Sequence, residues 1–581
     1  VVGASYWQTI HAYPHGGGSY IVARDNLGDW PGLIAAAALL IDYILTVSVS
    51  VTAGVDALVT AKPSLSGLSV PLGVFFILFI MVVNLRGVRE SGSVFAAPTY
   101  LFIAAFGIMI VTGVIHALLT HGGLFNAIPP RAVDIHKTLG WTPNKFGVVL
   151  VLTAFASGCS AMTGVEAISN GVPAFKRPEA DNAARTLIWM IGILVTLFVG
   201  VTYLAWRFGI EPYQSQNPTV DGQIAHMLFT GSFGWFYYVI QIATLLILVL
   251  AANTSFADFP RLSSILARDG FMPHQFSFRG DRLAFTTGIV VLSLLSIVLL
   301  VAFNGNTDAL INLYALGVFT AFTLSQTGMV IRWRRLRQQG GSGWRRSMVI
   351  NTVGAIVTGI VAIVIIVTKF DRGAWIVVLL VPMLVFMFRG ISHHYAKVRE
   401  QTVTATPLHA EELHHIAIVP IGDLNRPAVQ SLAYARSITP EVVAVHVATD
   451  DEDSANIQLQ WEKLVASRRD AWERLAAKDN ARLAYPAASA LGMAAKPRVS
   501  PMPQLVIIES PFRSMVKPLV SYIDAMRDAN PSATISVVLP EYVPAHFWER
   551  ILHNQTAPRL KLALYYHPSV VVINVPYHLP R

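Results

Sequence analysis

Leu33 to Leu58 reads LIAAAALLIDYILTVSVSVTAGVDAL, apolar almost throughout yet carrying Asp42 well inside it. A helix needs about 20 apolar residues to cross the bilayer core, so this stretch reads as a membrane span. An ionisable side chain at that depth costs a few kcal/mol or more, and Asp42 therefore needs a reason. Helical residues four apart share a face, which puts Asp42, Thr46 and Ser50 in one stripe, with the Tyr43 phenol beside it. Clustered oxygens of this kind suit a hard monovalent cation. The bland alternative is that Thr46 and Ser50 bond back to their own helix carbonyls, and it leaves Asp42 unexplained.

Working outward, comparable windows fall near Val70–Val88, Phe95–Leu119, Phe146–Ile168, Leu187–Trp206, Trp235–Thr254, Thr287–Phe303, Leu310–Ile331, Ile350–Val367 and Trp375–Phe388. A further apolar segment, Val1 to Tyr20, has no charged lead-in and reads as the remainder of a span whose start, with a helix before it, lies upstream. The count is thus about eleven. Only 13% of the chain is charged, against about 25% for soluble domains, and the deficit ends near Val398. One set of alternate loops holds Arg24, Arg86, Arg89, Lys176, Arg177, Arg185, Arg261, Arg268, Arg279, Arg282 and the cluster from Arg332 to Arg346. The other set holds Lys62, Arg131, Lys137, Lys145, Arg207, Lys369 and Arg372. The richer set faces the cytoplasm. That puts the C-terminal part on the same side of a cell-membrane, multi-pass protein. The net charge of +9 is this topology signal rather than a phosphate-binding stripe, so no nucleic-acid partner is expected. The single cysteine, Cys159, rules out a disulfide framework and a Cys-rich metal site. No nucleophile–base pair or phosphate loop stands out, and no enzyme or cofactor is expected.

Glu166 is the second stranded carboxylate. Its surroundings, ASGCSAMTGVEA from Ala156 to Ala167, contain glycines, serines and Thr163, a poor composition for a continuous helix. Interrupted membrane helices expose carbonyls and dipole ends to transported solutes. A carboxyl there can take and release a proton during a transport cycle; the alternative is a fixed hydrogen bond across the bundle. Tyr314 offers a further phenolic oxygen or serves as an interface-belt tyrosine. The run Tyr13-Pro14-His15-Gly16-Gly17-Gly18-Ser19-Tyr20 reads as a bend or close helix contact. His11 and His15 have no ligand-like spacing.

The transporter domain is expected over residues 1–395, a linker over 396–411 and a cytoplasmic domain over 412–581. In the last, β-branched runs (Ile416–Ile421, Val442–Val447, Leu505–Glu509, Ile535–Pro540, Val570–Val575) alternate with helical patterns such as Pro427–Ser437 and Phe512–Arg527. Alternation of this type predicts an α/β domain with a parallel sheet. The Ala/Arg/Lys-rich stretch from 466 to 499 fits the alternation poorly and reads as a surface insertion.

Taken together, Pro14–Tyr20, Gly164-Val165-Glu166 and Ala267-Arg268-Asp269-Gly270-Phe271-Met272-Pro273 resemble motifs of the amino acid–polyamine–organocation superfamily. Tyr13–Asn26, Leu40–Gly54, Thr163–Glu166 and the tail motifs ESPFRS (509–514), VLPE (538–541) and LHNQTA (552–557) resemble the KimA-type potassium importers within it. The resemblance implies a membrane all-α bundle of the LeuT-type inverted repeat and proton-coupled potassium uptake. It also implies a universal-stress-protein-like tail, inhibition by cyclic di-AMP, and a homodimer joined through the cytoplasmic domains. It assigns potassium binding to the positions of Asp42, Tyr43, Thr46, Ser50, Thr163, Glu166 and Tyr314, with Glu166 also coupling the proton. Two departures stand out. The family's first helix supplies an acid and a tyrosine with no counterpart here, and the tail lacks the Gly-rich ATP loop of universal stress proteins. Two other functions remain open at this point: an amino acid–proton symporter on the same fold, and a membrane sensor whose bundle no longer transports.

Overall fold

A computed structural model describes residues 1–14, 16, 18–86, 92–120, 148–159, 164–210, 218–278, 285–339, 343–402, 414–448, 451–483, 502–510, 515–543, 556–565, 567 and 570–578. The chain divides into two compact units, Val1–Val403 and Thr404–Arg581.

The first unit is helical. Helix α1 (Val2–Ala12) and α2 (Ser19–Leu27) are separated by the glycine run, where Gly16 adopts φ +92, a left-handed conformation that favours glycine. The remaining helices are α3 (Asp29–Ala61), α4 (Ser69–Leu85), α5 (Gly92–Thr120), α6 (Val148–Cys159), α7 (Val165–Asn170), α8 (Glu179–Phe208), α9 (Val220–Leu228), α10 (Trp235–Arg268), α11 (Thr286–Ala302), α12 (Thr307–Gln338), α13 (Trp344–Lys369) and α14 (Ala374–Thr402). Among the described residues, 8 helices are long and apolar enough to span a membrane, and α11 is a shorter apolar helix. The interrupted pairs α1/α2 and α6/α7 take the places of the other two apolar segments. Two helices overrun their apolar windows: α10 continues past Thr254 to Arg268, and α14 past Phe388, through the expected start of the linker, to Thr402. Backbone hydrogen bonds close within a helix, so α14 runs on through exposed polar residues, whereas α10 carries Ser255, Asp258, Ser263 and Ser264 onward while still buried.

The bundle is built around two helices. The apolar window of α3 is 78% buried and that of α12 is 65% buried, against 11–28% for the other spans. Ala35, Ala36, Ala37 and Ala38 of α3 are wholly buried, and their small size lets neighbouring backbones come close. On α12, a Cβ added at Gly317 would lie 3.0 Å from the Ala38 carbonyl oxygen. Polar side chains tie the helices together. Ser48 Oγ donates to the Ser296 carbonyl at 3.1 Å, and Ser296 Oγ donates back to the Ile44 carbonyl at 3.2 Å. Asn84 Nδ2 donates to Asn253 Oδ1 at 2.7 Å, and Thr307 Oγ1 to Asp56 Oδ2 at 2.6 Å. Arg332 donates to the Ala12 carbonyl at 3.1 Å, and Arg335 to those of Asp25 and Asn26 at 3.2 and 3.3 Å. These cations cap the carbonyl ends of α1 and α2, where helix dipoles favour positive charge.

In the second unit, β1 (His414–Pro420), β2 (Glu441–Ala448), β3 (Gln504–Glu509), β4 (Ala533–Val543) and β5 (Val570–His578) form one parallel sheet in the order β3-β2-β1-β4-β5. Both faces are covered. Ala417 and Val419 pack with Leu432 and Ala435 of α15 (Arg426–Ile438), whereas Ile418 packs with Leu519 and Ile523 of α17 (Val516–Ala529). Helix α15 starts where the Asn425 side chain accepts from the Ala428 N–H at 3.1 Å. Helix α16 (Asp451–Leu483) runs through the first half of the stretch that reads as an insertion, because its Ala, Arg, Lys and Glu residues are strong helix formers. Residues 484–499 of that stretch lie outside the described residues. Helix α18 (Thr556–Leu564) precedes β5.

Two outcomes follow from this packing. Gly317→Leu forces a side chain against the Ala38 backbone and is expected to cost about 1–3 kcal/mol. It should lower the melting temperature of the detergent-solubilised protein, and an unchanged value would contradict the close contact. In the second unit, burial lowers the pKa of His415, whose ring bonds to Ser536 Oγ. A depressed folded value means that its contribution to stability is complete above the unfolded value of about 6.5 and is lost as pH falls below it. Protection of β1 and β4 amides from hydrogen exchange, taken relative to the intrinsic rate at each pH, should therefore fall from pH 7 to 5, and less so in His415→Gln.

Candidate functional site

Asp42 and Tyr43 lie in the middle of α3, 5% and 5% exposed. Helix α12 crosses at this level: a Cβ on Gly317 would sit 3.8 Å from the Asp42 Cβ. Tyr314, three residues before Gly317 on the same helix, is also buried. On α3 itself, Ser50 is buried and Thr46 half-buried. The other hydroxyls of the helix are engaged with carbonyls: Ser48 with Ile44 at 3.1 Å as well as Ser296, and Thr52 with Ser48 at 2.9 Å.

Glu166 arrives from the interrupted segment. Gly164, at φ +86, turns the chain into α7, and Glu166 is the second residue of that short helix, 2% exposed. Glu166 is close enough to Asp42 and to Asp258 to interact with each electrostatically, and all three carboxyls are that close to Tyr43. Ser19 of α2 approaches the Glu166 carboxyl. Even so, neither Glu166 oxygen, nor Asp42 Oδ1, has a hydrogen bond of ordinary geometry among the described residues. Tyr6 of α1, wholly buried, stands behind this cluster with its hydroxyl 3.1 Å from Ser19 Oγ. Two carboxylates in such surroundings hold their charge only beside a compensating cation or proton.

Tyr43 is fixed from the cytoplasmic side. Asn170 Nδ2, at the end of α7, donates to its phenolic oxygen at 2.8 Å, and the Asn170 carbonyl accepts from Arg261 Nη1 at 3.2 Å. Gly18 lies so close to Asn170 that any side chain there would overlap the Asn170 amide oxygen. Between Tyr43, Asn170, Asp258, Arg261 and Gly18 is a cavity of about 40 Å³, on the scale of one or a few water-sized occupants.

The fold thus gathers Asp42, Tyr43, Glu166 and Tyr314 around the α3–α12 contact, with Thr46 and Ser50 one and two turns along α3. Thr163 lies outside the described residues. Tyr6, Ser19, Asn170, Asp258 and Arg261 join the cluster although the sequence alone does not single them out. Asp258 is legible in part: it follows the apolar window that ends at Thr254, but α10 carries it onward, still buried, inside the bundle. Asn170 has no signal of its own, since an asparagine after an apolar run reads equally well as a helix end.

Comparison with known proteins places these residues in a family. A family model described as amino acid permease matches residues 1–388, and one described as KimA potassium transporter C-terminal domain matches 413–467 and 496–577. The second match is interrupted within the Ala/Arg/Lys-rich stretch. The chain is 41% identical over 579 residues to "Potassium transporter KimA" of Bacillus subtilis (strain 168), covering 99% of this chain and 87% of that protein. It is 23% identical over 348 residues to "Cationic amino acid transporter 3, mitochondrial" of Arabidopsis thaliana, covering 56% and 53% of the two chains. It is 29% identical over 124 residues to "Probable potassium transport system protein Kup" of Anaeromyxobacter dehalogenans (strain 2CP-C), covering 21% and 18%. With its permease bundle and matching tail domain, the chain belongs to the KimA family of amino acid permease-type transporters.

Proposed function

We propose that this protein imports potassium together with protons. The carrying observation is the pair of buried carboxylates, Asp42 and Glu166, with no hydrogen bond of ordinary geometry to Glu166 or to Asp42 Oδ1 among the described residues. A desolvated carboxylate pair is costly on its own and is offset by a bound cation. In this reading, Asp42, Tyr43, Thr46, Ser50, Thr163 and Tyr314 surround potassium and Glu166 takes up the proton. The 41% identity to a protein named as a potassium transporter supports the choice of ion. The small cavity beside Tyr43 also suits an ion better than an amino acid.

The cytoplasmic domain is the proposed regulatory element. A cavity of about 300 Å³ runs along the carboxyl ends of its strands, lined in part by Gly422, Asp423, Asn425, Glu541 and Tyr542. Open parallel sheets bind ligands in that position, where the strand order reverses. We assign it to cyclic di-AMP, the inhibitory ligand expected for this family. Glu541 and Asp423 would accept from the adenine amino groups. Leu562 and Tyr565, at and after the end of α18, and Val571 on the edge strand β5 expose apolar surface, which supports pairing of two copies through this edge.

The proposal makes distinct demands. The protein should rescue growth of a strain deficient in potassium import, and purified vesicles should take up potassium but not lysine or other amino acids; the reverse result would select the amino acid symporter. Asp42→Asn should lower uptake by about tenfold or more, the scale of one lost charged contact. Glu166→Gln should abolish uptake driven by a pH gradient, and unchanged uptake would remove Glu166 from coupling. In potassium-free buffer both variants should be more stable than wild type by about 1–3 kcal/mol, while Asp42→Asn should lose the stability that wild type gains on adding potassium. Cyclic di-AMP at the cytoplasmic face should slow wild-type uptake.

A further inference from the structure

A groove of about 540 Å³ opens sideways between α1, α8 and α13. It falls in the range of small-molecule pockets, about 300–1,000 Å³. Its walls are mostly apolar: Ala4, Trp7, Leu187, Ile188, Ile191 and Ile350. It is far from uniform along its length. At one end Gly3 meets Ile191 so closely that a side chain on Gly3 would overlap it, which closes the groove. At the other end stand Arg346, Ser347 and Gln8. Arg346 belongs to the basic cluster between α12 and α13, on the cytoplasmic side of the bundle.

The charges around the mouth are unequal. Arg337 and Arg345 are held against the Trp344 ring, 4.9 and 5.4 Å from its centroid. Asp181 faces His11 at 3.4 Å. Arg185, one turn further along α8, is exposed. Arg346 is exposed as well and lines the groove, and among the described residues no carboxylate pairs with it. Both flanking spans present apolar side chains outward, including Ile188 at 60% and Val349 at 58% exposure, so the groove opens to lipid rather than to a second protein layer. The cytoplasmic leaflet is the anionic one, and basic pockets between spans on that side select acidic headgroups.

We propose that this groove holds an anionic phospholipid of the cytoplasmic leaflet, its phosphate on Arg346, Ser347 and Gln8, and one acyl chain along Ile188, Ile191 and Ile350. Gln8 links the occupant to the bundle interior. Asn351 Nδ2 donates to Gln8 Oε1 at 2.5 Å, and Ser5 Oγ donates to Asn351 Oδ1 at 2.5 Å. The lipid thus braces α1 against α13 one residue away from Tyr6.

The test uses the full-length protein in detergent with added phosphatidylglycerol or phosphatidylcholine, read by native mass spectrometry and by melting temperature. Phosphatidylglycerol should be retained about fivefold more tightly than phosphatidylcholine, the effect of one basic residue near the headgroup. Arg346→Gln should remove that preference, and Ala4→Phe, which fills the groove, should remove binding of both lipids. Equal retention of the two lipids by wild type would overturn the proposal, as would a preference that survives Arg346→Gln. Stabilisation by inorganic phosphate to the same extent would also overturn it, since a free anion needs no apolar groove. A bound second copy of the chain, lost in Ala4→Phe, would assign the groove to a protein interface instead.

Discussion

Close backbone contact between α3 and α12 is the constraint on which the rest of the bundle depends. Four successive buried alanines on one helix and a glycine on the other bring the two within van der Waals distance. Hydrophobic burial does not drive helices together in lipid, because acyl chains are as apolar as leucine. Association must come from packing and from polar contacts between helices, and small residues permit both. One turn from its tightest contact, Ala38 against Gly317, the seam carries Asp42, and three residues before Gly317 it carries Tyr314.

Around this seam, side-chain hydroxyls and amides are shared between helices. The reciprocal Ser48–Ser296 arrangement joins α3 to α11, Asn84–Asn253 joins α4 to α10, and Asn351 joins α13 to α1. Each is a buried polar group whose partner comes from another span, so the register of neighbouring helices is fixed. Glu166 and Asp42 depart from this pattern: among the described residues neither Glu166 oxygen, nor Asp42 Oδ1, has a hydrogen bond of ordinary geometry.

Much of this architecture is legible in the amino-acid sequence. Eleven apolar segments, the basic loops and the α/β alternation of the tail all follow from periods and compositions that act locally. Asp42 and Glu166 stand out because isolated carboxylates in apolar runs have no local explanation. Asp258 does not, since hydropathy marks where a segment stops being apolar, not where its helix ends. Asn170 and Tyr6 are invisible for a different reason. Their place at the site depends on Gly16 and Gly18 lying against Asn170, a contact between segments about 150 residues apart. In the tail, α16 continues into the Ala-rich stretch because its residues favour helix, and the match to the tail family skips residues 468–495.

Under the proposed role, the interrupted helix lets a costly site also be a working one. In a continuous helix, Glu166 would sit among closed backbone hydrogen bonds and could move only with the whole span. The turn at Gly164 makes α7 a separate six-residue piece, held at its far end by Asn170, which bonds Tyr43, and by Arg261, which bonds the Asn170 carbonyl. Two polar contacts, together with the packing of Val165 and Ile168, therefore decide where the Glu166 carboxyl stands relative to Asp42. Under the proposed role, a change of charge at either carboxylate alters the repulsion between α3 and α7, and the Asn170–Tyr43 bond is the polar contact that change works against. Protonation of Glu166 and occupancy beside Asp42 then act on the same short helix, which is the physical requirement for coupling one ion to the other.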